Sequence, residues 1–176
     1  MIKMNDKEKS LPNRKTTRLP NYDYSQPGAY FITICTKERR CILSDIVGTD
    51  VPGGPKTILT GYGKIADKYI KAMNDFYTTI SVDKYVIMPN HIHLLIQIKP
   101  EENGPPRTSV PTRESIISRF VSTFKRFCNK EYGENIWQYR SYDHVIRNRE
   151  DYENRMKYIH ENPLKWYYDE LYSKRY

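Results

Sequence analysis

The pattern that organises the chain is Tyr85-Val-Ile-Met-Pro-Asn-His-Ile-His-Leu-Leu-Ile-Gln97. Apolar and β-branched residues dominate it, which predicts strands over 79–88 and 91–99 joined near Pro89-Asn90. Side chains alternate faces along a strand, so Ile92, Leu94, Ile96 and Ile98 point to a core while His91 and His93 share the opposite face. Proline fits poorly into the left-handed turns of two-residue hairpins, so a longer loop or a bulge is expected at Pro89. Upstream, Ala29–Thr36 reads as a first strand with Tyr30, Ile32 and Ile34 on one face. Ile65, Tyr69, Ala72, Met73 and Phe76 recur at helical spacing and predict a helix over 61–76. The stretch before it, 44–60, reads as a long connection broken by Pro52-Gly-Gly-Pro55, with a short strand at 57–60. Ile116, Ile117, Phe120, Phe124, Phe127 and Cys128 predict a second helix over 112–131, with Gly133 as its stop. A fourth strand is expected within 137–146. A third helix is expected over 149–162, ended by Pro163, and then a short terminal helix or tail. The order strand, helix, strand, strand, helix, strand fits an α+β ferredoxin-like (RRM-like) fold. Such a fold is an antiparallel sheet with helices on one face; here one C-terminal helix is added.

Length and charge narrow the picture. One domain over 21–176, preceded by a flexible basic arm at 1–20, accounts for all 176 residues. The net charge is +8 and uneven: nine basic against four acidic residues in 1–40, six against seven in 41–104, fourteen against ten in 105–176. Basic ends interleaved with tyrosines favour a polyanion, most simply nucleic acid. Cys35, Cys41 and Cys128 are odd in number and lack metal-site spacing, so they read as reduced thiols. No run is apolar enough for a membrane helix or a signal peptide, and a cytoplasmic protein is expected.

Two patterns carry chemistry. Two imidazoles side by side on a sheet face are half of a metal site, although a pair of idle strand histidines is an even alternative for a bare His-x-His. About seventy residues later, Tyr158 and Asn162 lie four apart on the third helix and so share one face. Together they offer two ring nitrogens, an amide oxygen and a phenol, a set suited to a divalent metal and a nucleophile on a phosphodiester. The motifs Met88-Pro-Asn-His-Ile-His93 and Tyr158-x-x-x-Asn162-Pro163 resemble those of the single-tyrosine HUH transposases, in particular the REP-associated tyrosine transposase branch. Trp137–Arg147 and Tyr22-Asp-Tyr24 are similar to that branch as well, so the resemblance spans roughly 14–168.

The resemblance implies a metal-dependent enzyme that cuts and rejoins single-stranded DNA at hairpin-bearing sites through a 5′-phosphotyrosine on Tyr158. It implies Mg²⁺ or Mn²⁺ held by His91, His93 and Asn162, a homodimer, and a place at the bacterial nucleoid. Asn162 departs from the pattern, because many insertion-sequence relatives carry the longer glutamine there. Lys125, Arg126, Arg140 and Arg147 are the expected phosphate contacts, with solvated or ion-paired side chains as the plainer reading. Tyr142, beside Asp143 and His144, is the rival nucleophile. Tyr152 reads as core, and His144 and His160 as surface or hydrogen-bonded residues. Two other functions remain open: a non-catalytic nucleic-acid-binding module that stacks bases on Tyr30, Phe31 and Tyr85, and a phosphodiesterase that uses water.

Overall fold

The computed structural model describes residues 22–48, 54–100 and 115–174. The expected basic arm and the proline-rich stretch 101–111 lie outside these residues. Four strands form one antiparallel sheet: β1 (Gly28–Cys35), β4 (Ile80–Ile87), β5 (His91–Ile98) and β6 (Tyr142–Ile146), in the order β4-β5-β1-β6. A separate hairpin pairs β2 (Ser44–Val47) with β3 (Lys56–Leu59). The helices are α1 (Gly61–Phe76), α2 (Ile116–Tyr132) and α3 (Arg149–Glu161).

The alternation along β5 decides what each sheet face does. Ile92, Leu94, Ile96 and Ile98 are buried with Tyr30, Ile32 and Ile34 of β1 against Ala66, Ile70 and Met73 of α1 and Ile117, Phe120 and Phe124 of α2. The other face carries His91, His93 and Leu95 of β5 opposite Cys35, Thr33 and Phe31 of β1. A second, smaller apolar cluster of Phe31, Leu95 and Ile159 docks α3 onto that face. The face that a bare ferredoxin-like fold would leave open is thus partly covered by the added helix.

Local chemistry sets the helix ends. Thr60, Ser115 and Asn148 each cap a helix N-terminus by accepting a backbone N–H three residues on. Gly133 closes α2 in the left-handed region, at φ 75°, as its stop signal predicts. α3 ends at Asn162, before Pro163.

Three expectations need correction, and one at Pro89 holds. The connection over 44–60 contains a full hairpin, because β2 supplies β3 with its partner. The fourth strand starts at Tyr142 rather than 137; Trp137 is a buried bridge to Thr36. The longer loop expected at Pro89 is present as Met88–Asn90, closed by Met88 N–H donating to the His91 carbonyl, and a further irregularity lies in β4 between Val82 and Lys84. The base-stacking platform is not available: Tyr30 is fully buried, Phe31 is 2% exposed, and Tyr85 donates its hydroxyl to Asp67.

Gly63 tests the close approach of α1 to the loop before β2. A Cβ there would run into the Leu43 carbonyl oxygen, which also accepts from the Thr60 backbone N–H. Gly63→Ala is expected to destabilise the fold by about 2 kcal/mol in urea unfolding, the ordinary cost of overpacking.

Candidate metal and nucleophile site

His91 and His93 start β5, where pairing on both sides fixes the strand. Their rings lie 4.5 Å apart, centroid to centroid, and they are 0% and 3% exposed. Each Nδ1 has a partner. His91 Nδ1 lies 2.7 Å from Asn90 Oδ1, and the Asn90 amide nitrogen donates to the Leu171 carbonyl and to Ser173 Oγ. The orientation of Asn90 is therefore set, so His91 Nδ1 carries the proton and Nε2 presents a lone pair. His93 Nδ1 lies 2.9 Å from Thr33 Oγ1; a hydroxyl serves as donor or acceptor, so this contact aims the ring without fixing its tautomer.

Both Nε2 atoms are buried without a hydrogen-bond partner. Burial pushes the His91 pKa down to about 4, opposed by the Asp169 carboxylate, and pushes His93 well below its ordinary value, helped by His91 and Arg155. Both imidazoles are neutral at pH 7 and keep their lone pairs, which is the state a metal ligand requires.

α3 delivers the other half of the site to the same chain's histidines. The Tyr158 ring stands edge-on to His93 at 5.2 Å and to Phe31 at 5.8 Å. Tyr158 is 38% exposed and donates its hydroxyl to Asp169 Oδ2 at 3.4 Å. Burial, then the Asp169 carboxylate, raises its pKa to about 12, so the resting phenol is protonated. One turn on, Asn162 is buried; its Nδ2 donates to Asp169 Oδ2 at 2.9 Å and its Oδ1 has no partner. Three of the four orphaned buried side-chain atoms among the described residues thus belong to His91, His93 and Asn162. Unpaired buried polar atoms cost about 1–3 kcal/mol each, so their grouping in one place asks for a shared partner. The donor set fits a divalent cation.

Asp169 escaped the sequence reading. It follows a single 3₁₀ turn, Trp166–Tyr168, and comes within ligand distance of the pair: one donor atom each from His91, His93 and Asp169 lie within 4.8 Å of one another. No spacing in the sequence marks it, because the tail returns to the site by tertiary packing. Trp166 is buried, and the segment is tied down by Arg39 donating to the Glu170 carbonyl and by Asn90 donating to Leu171.

A cleft of about 710 Å³ opens over the site, lined by Phe31, His93, Tyr142, Arg155, Tyr158 and Asn162 among others. Of the expected phosphate contacts, Arg140 lines this cleft. Lys125 is held behind it, donating to the Gln138 and Tyr139 carbonyls, and burial lowers its pKa to about 8. Arg126 is exposed on α2 beside Phe127, and Arg147 is exposed between β6 and α3. Tyr142 lines the cleft at 49% exposure. Tyr152 packs on the Phe31 cluster and donates to Asp83, His144 shares a hydrogen bond with Asp151, and His160 is exposed.

The chain as a whole is similar to several known proteins. An uncharacterized protein of Haemophilus influenzae is 29% identical over 176 residues, covering 92% of this chain and 94% of that protein. The REP-associated tyrosine transposase of Escherichia coli K12 is 27% identical over 142 residues, covering 81% of this chain and 70% of that protein. A solved structure of a REP-associated tyrosine transposase bound to a REP hairpin shares the fold, with a TM-score of 0.59 at 22% identity over 85% of this chain and 74% of that one. No helix among the described residues is long and apolar enough to cross a membrane. The model of the IS200-like transposases matches residues 26–162, from the turn before β1 through both histidines to Tyr158 and Asn162, and the chain belongs to that family.

Proposed function

We propose that this transposase cuts and rejoins single-stranded DNA through a covalent link to Tyr158. The observation that carries the reading is the meeting of the Tyr158 ring with His93, at 5.2 Å, beside three orphaned buried donor atoms. The Tyr158 oxygen attacks the scissile phosphorus as the P–O3′ bond breaks, leaving a 5′-phosphotyrosine and a 3′-hydroxyl. The phenol proton passes to Asp169, whose Oδ2 accepts it in the resting site, and the departing 3′-oxygen takes up a proton. One phosphoester replaces another, so a 3′-hydroxyl can attack in reverse and rejoin strands without an energy source.

His91 Nε2, His93 Nε2 and Asn162 Oδ1 would hold Mg²⁺ or Mn²⁺, with Asp169 as the adjacent carboxylate. Bound there, the cation supplies positive charge for the phosphate and for the phenolate, which ordinarily forms only near pH 10. Asn90 and Thr33 aim the two rings. Arg140 and Tyr142 are proposed to receive the strand at the cleft, the tyrosine by stacking on bases. Arg126 and Arg147 would offer positive charge to a flanking hairpin, and Lys125 acts by holding the Gln138–Tyr139 segment. The REP hairpin in the related structure supports a hairpin substrate. The residues proposed for the site all come from one chain, so the proposed homodimer would serve to hold two cut ends together.

Two measurements test this reading. With single-stranded DNA and Mn²⁺, Tyr158→Phe is expected to abolish a covalent protein–DNA band on a denaturing gel, while Tyr142→Phe keeps it. Cleavage without an adduct would favour a water-using phosphodiesterase, and binding without cleavage a non-catalytic module. By calorimetry, His91→Ala and His93→Ala should lose Mn²⁺ binding. Thr33→Val, which deletes the contact to His93, should weaken it by about 10–100-fold; unchanged binding in all three would remove the metal assignment.

A further inference from the structure

Resting on the Tyr158 reading, we infer that Arg155 is the cation that grips the scissile phosphate beside the nucleophile. Arg155 precedes Tyr158 by three residues on α3, so the two share a helix face, and both line the cleft. Its guanidinium carbon lies 5.1 Å from the Phe31 ring centroid. Phe31 in turn stacks on His93 at 5.0 Å and meets Tyr158 edge-on at 5.8 Å. One aromatic ring therefore spaces the guanidinium, the imidazole and the phenol around a common opening.

A structural ion pair would give a different geometry. Arg155 touches Asp151 through Nε alone, at 3.4 Å, where a pair made for stability is short and forked. Asp151 has a closer partner in His144, at 2.8 Å, and its carboxylate also accepts the Arg147 backbone N–H. Asp151 thus steers the stem of Arg155 from behind. Among the described residues, neither Nη atom makes a hydrogen bond, which leaves the fork for a ligand. The other cations lining the cleft are placed differently: Lys165 is bonded to Glu161 at 2.6 Å, and Arg140 is exposed at the mouth. A planar fork matches two phosphate oxygens, and an arginine keeps its charge at any working pH.

The test uses the full chain, Mn²⁺ and a pool of random single-stranded oligonucleotides, with covalent product read on a denaturing gel. Arg155→Gln should lower the product about 100-fold, the cost of losing one group aimed at transition-state charge. Arg155→Lys should recover part of the loss, because the charge returns without the fork. Mn²⁺ affinity of Arg155→Gln should match the unaltered protein, a result that a merely structural role would not give. The trapped sequence is then remade with a neutral methylphosphonate at the cut linkage, and on this substrate the gap between the unaltered protein and Arg155→Gln should close. Equal product from the two proteins on ordinary DNA, parallel loss of Mn²⁺ binding, or a gap that survives the methylphosphonate would overturn the role of Arg155. Absence of any adduct from the unaltered protein would instead overturn the Tyr158 reading beneath it.

Discussion

The structure depends on one costly arrangement: two neutral imidazoles buried side by side with an unpaired lone pair on His91 and an orphaned Nε2 on each ring. Water would satisfy those atoms in an open sheet face. Here α3 and the C-terminal segment cover them, so the fold gives up stability to hold the groups ready. Burial keeps the rings neutral, and Asn90 and Thr33 hold them in place. Preorganisation of this kind makes a site effective toward developing charge.

The strand period explains why the site and the core coexist on eight residues. β5 gives one face to α1 and α2 and the other to the chemistry, and a slip of one residue would exchange them. β1 backs up both faces: Tyr30, Ile32 and Ile34 seal the main core, while Phe31 and Thr33 support the histidines. Phe31 also belongs to the cluster that seats α3, so the packing that docks the helix and the spacing of Tyr158 share one side chain.

Much of this was legible in the amino-acid order because it is periodic. The shared face of His91 and His93 follows from period two, and the shared face of Tyr158 and Asn162 from the helical turn. Helix ends followed from Gly133 and Pro163. What escaped is what no period records. Asp169 reaches the histidines only because Trp166 is buried and the tail is pinned to Arg39 and Asn90. β2 is too short to show a pattern of its own and exists through pairing with β3. Tyr30 and Phe31 are adjacent aromatics that look alike in sequence, yet they point to opposite faces and neither is free to stack. Arg155 stood at helical spacing from Tyr158, but only the seat of α3 on Phe31 turns that spacing into a place in the cleft. Asp169 also lies beyond the stretch that the family model matches, so its part in the site comes from the structure.

The most direct measurement is peptide mapping of a trapped protein–DNA adduct by mass spectrometry. Trypsin cuts after Lys157 and Lys165, releasing a peptide whose one tyrosine is Tyr158. With Tyr158 as the nucleophile, the nucleotide mass is expected on that peptide. Nucleotide mass on the Ser141–Arg147 peptide, which carries Tyr142, or cleaved DNA with no modified peptide, would contradict it.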